Sequence, residues 1–245
     1  YPKRDYCVQY DESDLHFVQR LCEEEGIGFH FEHSEDNHLL VVNKLAGQLS
    51  QGDETGDPSL ADDLKAYIKE KYNKPGDVFL GVVHRLDRPT SGAIIYARTS
   101  KALTRLNEML RDRTVKKTYW ALVANRPQEE EANLRHFLLK HGSNNTSVVV
   151  SPKHKLGKEA KLHYTLLKSL KDRHLLEVNL ETGRHHQIRV QLSSIGCPII
   201  GDLKYGYRTP NPDKSICLHA RHIEFVHPVQ KTKMAFDAPL PKLDA

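Results

Sequence analysis

The side chains best placed for chemistry lie in the stretch Val82-Val83-His84-Arg85-Leu86-Asp87-Arg88-Pro89-Thr90-Ser91-Gly92. One carboxylate, Asp87, has an arginine close on each side, and Pro89 and Gly92 mark a turn. Apolar runs over residues 78–83 and 93–97 bracket that turn and have the composition of buried strands. A carboxylate held beside cations is favoured in its ionised form, which suits a nucleophile or a general base. The residues alone leave a second reading open, a solvated turn in which Asp87 caps its own backbone.

The surrounding elements are legible from periodicity. Residues 39–44 read as a buried strand. A helix starting near Ser59 carries Leu60, Leu64, Tyr67 and Ile68 on one face and stops at Asn73-Lys74-Pro75-Gly76. Ser100 is positioned to cap a second helix with a Leu103, Leu106 and Leu110 stripe. A strand over 115–124 contains Tyr119 and Trp120, which alternation sends to opposite faces. Further strands read over 134–139, 148–150, 162–170 and 175–180, with a polar hairpin tip over 140–158. Thr182-Gly183 breaks the last of these, and a helix follows from His185 to Ile195. His185 and Arg189 would share one face of it, and its first backbone N–H groups would suit a phosphate or carboxylate. Strands over 216–225 and 233–236 end the series. Many strands, few helices and no regular βαβ alternation predict an α+β fold with a largely antiparallel sheet.

Charge divides the chain. Residues 1–34 hold three Lys/Arg and eight Asp/Glu, a net of −5; the whole chain is +4, which leaves +9 on residues 35–245. The larger part is expected to bind a polyanion, and the cations Lys101, Arg105, Arg111, Arg113, Lys116 and Lys117 adjoin the Asp87 region as candidate phosphate contacts. No apolar run is long enough to cross a bilayer and no signal-peptide pattern is present, so no membrane partner is expected. The chain starts at Tyr1, which predicts a fragment or a processed product. Cys7, Cys22, Cys197 and Cys217 form no CxxC pair and are expected to be reduced and mostly buried, as in the cytoplasm. The histidine spacings that come nearest to a metal pattern, His185-His186 and His219 with His222, have no acidic or cysteine partners at ligand spacing, so no metal is expected.

The string HRLDRPTSG resembles the signature of the RluA-type pseudouridine synthases, and three more segments match in order. Lys117-Thr118-Tyr119-Trp120-Ala121 is similar to the family's KxYxA. Leu180-Glu181-Thr182-Gly183-Arg184-His185-His186-Gln187-Ile188-Arg189 is similar to LxTGRxHQIR, and Pro198-Ile199-Ile200-Gly201-Asp202-Leu203-Lys204-Tyr205-Gly206 to PIxGDxxYG. Asn43-Lys44 resembles the family's NKPaG motif with Leu45 in place of proline, which predicts a less rigid loop. The resemblance covers about residues 35–245. It implies the pseudouridine synthase fold, a mixed sheet with flanking helices and a central cleft. It further implies isomerisation of uridine in ribosomal or transfer RNA without a cofactor, by a chain expected to be a monomer. It assigns catalysis to Asp87, with Arg189 as its ion-pair partner and Tyr119 stacking on the base and assisting proton transfer. Arg85, Arg88, Arg184, His186 and Lys44 are the candidate RNA contacts.

Residues 1–34 do not share that resemblance. They read as strand, helix and strand, and they are similar to a segment of VgrG, the spike protein of type VI secretion. They are expected to be a fused segment rather than an independent domain, with the stretch Phe29-His30-Phe31-Glu32-His33 supplying a first strand to the sheet. The small helical RNA-binding domain found at the N-terminus of many family members is not expected within them.

Overall fold

The computed structural model describes residues 28–30, 38–142 and 144–241. The strand and helix read within residues 1–27, and the last part of the stretch over 29–33, lie outside the described residues. The strands are β1 (Gly28–His30), β2 (Leu39–Lys44), β3 (Gly81–Val82), β4 (Ser91–Ala97), β5 (Lys116–Val123), β6 (Glu131–His141), β7 (Thr146–Val150), β8 (Lys158–Ser169), β9 (His174–Leu180), β10 (Leu218–Val226) and β11 (Lys233–Asp237). The helices are α1 (Leu60–Lys71), α2 (Ser100–Arg111) and α3 (Gln187–Ser194), with a 3₁₀ turn at Leu203–Tyr205. None of the described helices is long and apolar enough to cross a membrane.

One sheet runs in the order β1-β2-β4-β10-β5-β9-β8-β6-β7, with β3 added to β4 and β11 to β10. The β4–β10 pair is parallel and the other pairs are antiparallel, so the α+β, mixed and largely antiparallel expectation holds. β4 is buried on both faces. Ile94 and Tyr96 point into a core with Leu64 and Ile68 of α1 and Leu192 of α3. Ala93, Ile95 and Ala97 point into a second core with Ala102 and Leu106 of α2. That two-sided burial explains the unbroken apolar composition of the strand.

Several expected boundaries move. Thr99, not Ser100, caps α2, its Oγ1 accepting the Ala102 N–H at 3.1 Å. The strand expected over 78–83 shrinks to β3, because only Gly81 and Val82 reach the end of β4 before the chain leaves the sheet. α3 begins at Gln187 instead of His185, because His186 adopts a left-handed φ of 52° and starts the helix only after it. β1 pairs with β2, so the part of the N-terminal segment that is described does join the sheet edge.

Gly92 is where β4 meets β10. Its φ is +116°, and a Cβ there would lie 2.4 Å from the Ala220 carbonyl oxygen. Gly81 has a less severe restriction, since the atom in the way is the Cδ2 of Leu103, the tip of a side chain that can move. Gly92→Ala is therefore expected to cost about 3 kcal/mol or more, from both backbone strain and a backbone clash, and Gly81→Ala clearly less. Urea unfolding of the two variants measures the difference.

Candidate active site

Asp87 occupies a turn held from four sides by groups that do no chemistry themselves. Its own carbonyl accepts the Thr90 N–H at 2.9 Å. The Ser50 hydroxyl donates to the Leu86 carbonyl at 2.9 Å and accepts the Leu86 N–H at 3.1 Å. His84 Nε2 accepts the Ile95 N–H of β4 at 3.1 Å, and burial pulls the pKa of this ring down to about 3, so it is a neutral brace. Lys44 is fully buried, and its ammonium donates to the carbonyls of Leu45, Gln48 and Arg88 at 2.8, 2.8 and 3.2 Å. Three acceptors match the three N–H bonds of an ammonium. Burial nonetheless draws its pKa down to about 7, against the opposing pull of Asp87.

These contacts correct one of the expected RNA contacts. Lys44 is spent inside the protein, where it clamps the 45–48 loop to the Asp87 turn, and cannot reach an RNA backbone. Arg88 is exposed and is absent from the cleft lining, its guanidinium donating to Asp57 at 2.7 Å and its Nε to the Gly47 carbonyl at 3.0 Å, a surface pairing that leaves the expected contact open. The loop after Lys44 is also tied where proline was expected to matter, since the Leu45 N–H donates to Gln48 Oε1 at 3.0 Å, a bond proline cannot make.

Arg189 of α3 joins two carboxylates. Its Nη1 donates to Asp87 Oδ2 at 3.0 Å, while Nε and Nη2 donate to the two oxygens of Asp202 at 2.7 and 2.8 Å. Arg189 and Asp202 are 4% and 1% exposed at their side chains and Asp87 is 28% exposed, so the buried pair stands behind a carboxylate that faces solvent. Burial alone would lower the arginine's pKa; the hydrogen bonds and charges of Asp202 and Asp87 outweigh it and hold the group above its ordinary value. The Tyr205 ring lies against the guanidinium at 5.0 Å.

His186 is the second group near Asp87, its Nε2 3.6 Å from Oδ2, too long for a hydrogen bond. Burial, then Arg189, bring its pKa to about 2, so the ring is neutral. The Tyr205 hydroxyl accepts the Ser147 N–H at 2.7 Å and lies 2.9 Å from His186 Nδ1. Donation of the phenolic proton to Nδ1 leaves a proton on Nε2, aimed at Asp87. His185, expected to share a face with Arg189, instead stacks on His186 with ring centroids 3.8 Å apart and bonds Ser147 and Asn145. It precedes α3, so the helical spacing does not apply to it.

A cleft of about 660 Å³ opens over these groups, within the range of roughly 300–1,000 Å³ usual for ligand sites. Asp87, Tyr119 and Arg189 line it together with Arg85, Arg184 and His186. Tyr119 is buried at its wall, and burial, reinforced by the charge of Asp87, holds the hydroxyl's pKa above the ordinary phenol value, so it keeps its proton. Trp120 faces the other way, against Arg221. Arg85 and Arg184 are exposed at the cleft, Arg184 donating to the Glu159 carbonyl at 2.9 Å. The Thr90 hydroxyl, also lining the cleft, is buried with no hydrogen-bond partner. His219 and His222, weighed above for a metal, bond Ser91, Ala238 and Asp237. Asp202 and Tyr205 have no role legible in the sequence, because nothing local says that either reaches Arg189.

Two measurements test this arrangement. Asp202→Asn strips a buried guanidinium of its main counter-charge and is expected to cost about 3–5 kcal/mol in urea unfolding, whereas Asp87→Asn, at the solvated edge, costs about 1 kcal/mol or less. The second concerns pH. Unfolded histidines take a proton near pH 6.5, while folded His84 and His186 stay neutral down to about 3 and about 2. The unfolded chain therefore binds more protons in that window, and the stability present above about pH 6.5 falls as pH drops, by about 1.4 kcal/mol per pH unit for each ring. His84→Gln should lessen the slope by about 1 kcal/mol per unit averaged between pH 7 and 5, approaching the full value only below about pH 5.5.

The comparisons with known proteins follow the same residues. Residues 38–194 match the family model described as RNA pseudouridylate synthase, and residues 1–66 match that of the phage tail baseplate hub (GPD). The chain is 34% identical to the uncharacterized RNA pseudouridine synthase slr1629 of Synechocystis, covering 84% of this chain and 64% of that protein. It is also 34% identical to ribosomal large subunit pseudouridine synthase D of Zymomonas mobilis, covering 85% and 68%. It thus spans about two thirds of the length of these curated relatives. The human RNA pseudouridylate synthase domain containing 4 superposes with a TM-score of 0.71 at 24% identity, over 85% of this chain and 88% of that one, which shows a shared fold. The Asp87 turn, β5 and α3 up to Ser194 all fall within the matched region, and the chain belongs to the RNA pseudouridylate synthase family.

Proposed function

We propose that the chain isomerises uridine to pseudouridine in RNA, with large-subunit ribosomal RNA favoured over transfer RNA by the names of its relatives. The observation that carries this reading is the Asp87 carboxylate, exposed to the cleft while its partner Arg189 is buried and anchored by Asp202. In the reaction the N1–C1′ bond breaks, a C1′–C5 bond forms, the C5 proton leaves and N1 ends protonated; atoms balance without an external oxidant or reductant. Asp87 opens the reaction at the sugar or the base, held in aim by Arg189. Tyr119, as a protonated phenol at the wall, supports the reading of a residue that stacks on uracil and donates a hydrogen bond. A uridine reaches the cleft only when swung out of its stack, at a cost of a few kcal/mol that contacts from Arg85 and Arg184 help offset. We place the catalytic unit at residues 35–245, acting as a cytoplasmic monomer, and read residues 1–34 as a VgrG-like fused segment, a reading supported by the baseplate-hub match.

Asp87→Asn is expected to lower turnover on the order of 10³-fold or more while leaving RNA affinity within a few-fold. Tritium release from an rRNA transcript labelled at uridine C5 reads the first, and filter binding reads the second. Turnover that survives the substitution would remove Asp87 from the chemistry.

A further inference from the structure

Lys117 sits on β5 two residues before Tyr119, so both side chains belong to one face of the strand, and both line the cleft. Its neighbours on the basic stretch are otherwise engaged or outside. Lys116 points away and pairs with Glu224 at 3.0 Å, Arg105 donates to the Pro228 carbonyl at 2.9 Å, and Arg111 and Arg113 are exposed at the rim. Lys117 is half-buried, and among the described residues no carboxylate or carbonyl takes its ammonium. Glu181 lines the same cleft, but it is exposed and makes no ion pair with it. Burial, with no opposing charge to offset it, pulls the lysine's pKa below the ordinary value.

The turn opposite makes room. A Cβ added at Gly183 would come within 3.5 Å of Lys117 Nζ, so the backbone passes close by with no side chain over the ammonium. A desolvated cation without a counter-ion is a cost to the folded chain, and a cost of that kind at a cleft wall marks a place where a ligand brings the missing charge. The spacing fits one nucleotide. Two residues along a strand span about 6.6 Å, of the order of the reach from a ribose C1′ to its phosphate.

We infer that Lys117 is the binding site for the phosphodiester of the nucleotide that occupies the Asp87 cleft. The assignment deepens the pseudouridine synthase reading and takes from it that the ligand is RNA. It makes Lys117 a binding residue whose charge is completed by substrate, distinct from Arg189, whose charge is completed by the protein.

The test measures binding of an unmodified large-subunit rRNA transcript by full-length chain carrying Asp87→Asn, with and without Lys117→Met, across a salt series. Lys117→Met is expected to weaken binding about tenfold near 0.1 M salt and to make the slope of log K against log salt shallower by about 0.7–0.9, the signature of one lost phosphate contact. Lys117→Arg should restore the slope. Urea unfolding should show Lys117→Met at least as stable as its parent, because it keeps the apolar stem and removes an uncompensated charge. An unchanged salt slope, or a clear loss of stability, overturns the phosphate site. If chain with Asp87 intact binds the transcript in a Lys117-dependent way but releases no tritium, the isomerase reading fails and the phosphate site stands. If the parent binds no transcript, both fail.

Discussion

One guanidinium shared between two carboxylates is the constraint on which the rest of the site depends. Arg189 uses three of its five in-plane N–H donors, two to Asp202 and one to Asp87. The Asp202 pair is almost sealed from water, where either charge alone would be costly, and so each fixes the other's place. The Asp87 bond then uses a donor on Nη1, the nitrogen not engaged by Asp202. Three stretches far apart in the chain, the turn before β4, the start of α3 and the 3₁₀ turn after Gly201, are held in one arrangement by this ion triad.

The turn itself is preorganised by groups whose own hydrogen bonds are completed inside the protein. Lys44 fills its three donors with three carbonyls, Ser50 both gives and takes at Leu86, and the Tyr96 hydroxyl donates to the Ser50 carbonyl at 2.6 Å. Neutral His84 ties the same loop to β4. A side chain carried on such a turn loses little further freedom when a substrate arrives. Tyr205 extends the same logic to His186, holding Nδ1 at 2.9 Å while Nε2 faces Asp87. Among the described residues, the buried Thr90 hydroxyl and the half-buried Lys117 ammonium at the cleft have no protein partner, in contrast with that completeness.

The described part of the N-terminal stretch, β1, lies at the edge of the sheet. β1 adds to β2 through antiparallel main-chain pairing, Phe29 opposite Val42. Main-chain pairing at a sheet edge makes few demands on side-chain identity. The opposite charge of residues 1–34 thus coexists with a strand in the same sheet, and the cleft lies on the far side of β4 from that edge in strand order.

The sequence by itself determined the elements and the principal pair. Alternation along β8 and β9, the apolar run of β4 and the Leu60, Leu64 and Ile68 stripe are local patterns, and hydrophobic burial enforces them at each position. The ordered motifs brought Asp87, Tyr119 and Arg189 into view as a set. What only the tertiary structure decided is which polar groups spend their charge inside. Lys44 has the residue type of an RNA contact, yet it is buried under three carbonyls. Asp202 became the anchor of Arg189, and a single left-handed residue at His186, whose ring lies 3.6 Å from Asp87, moved the start of α3. Charge satisfaction is a property of neighbours brought together across the chain, and no local spacing records it.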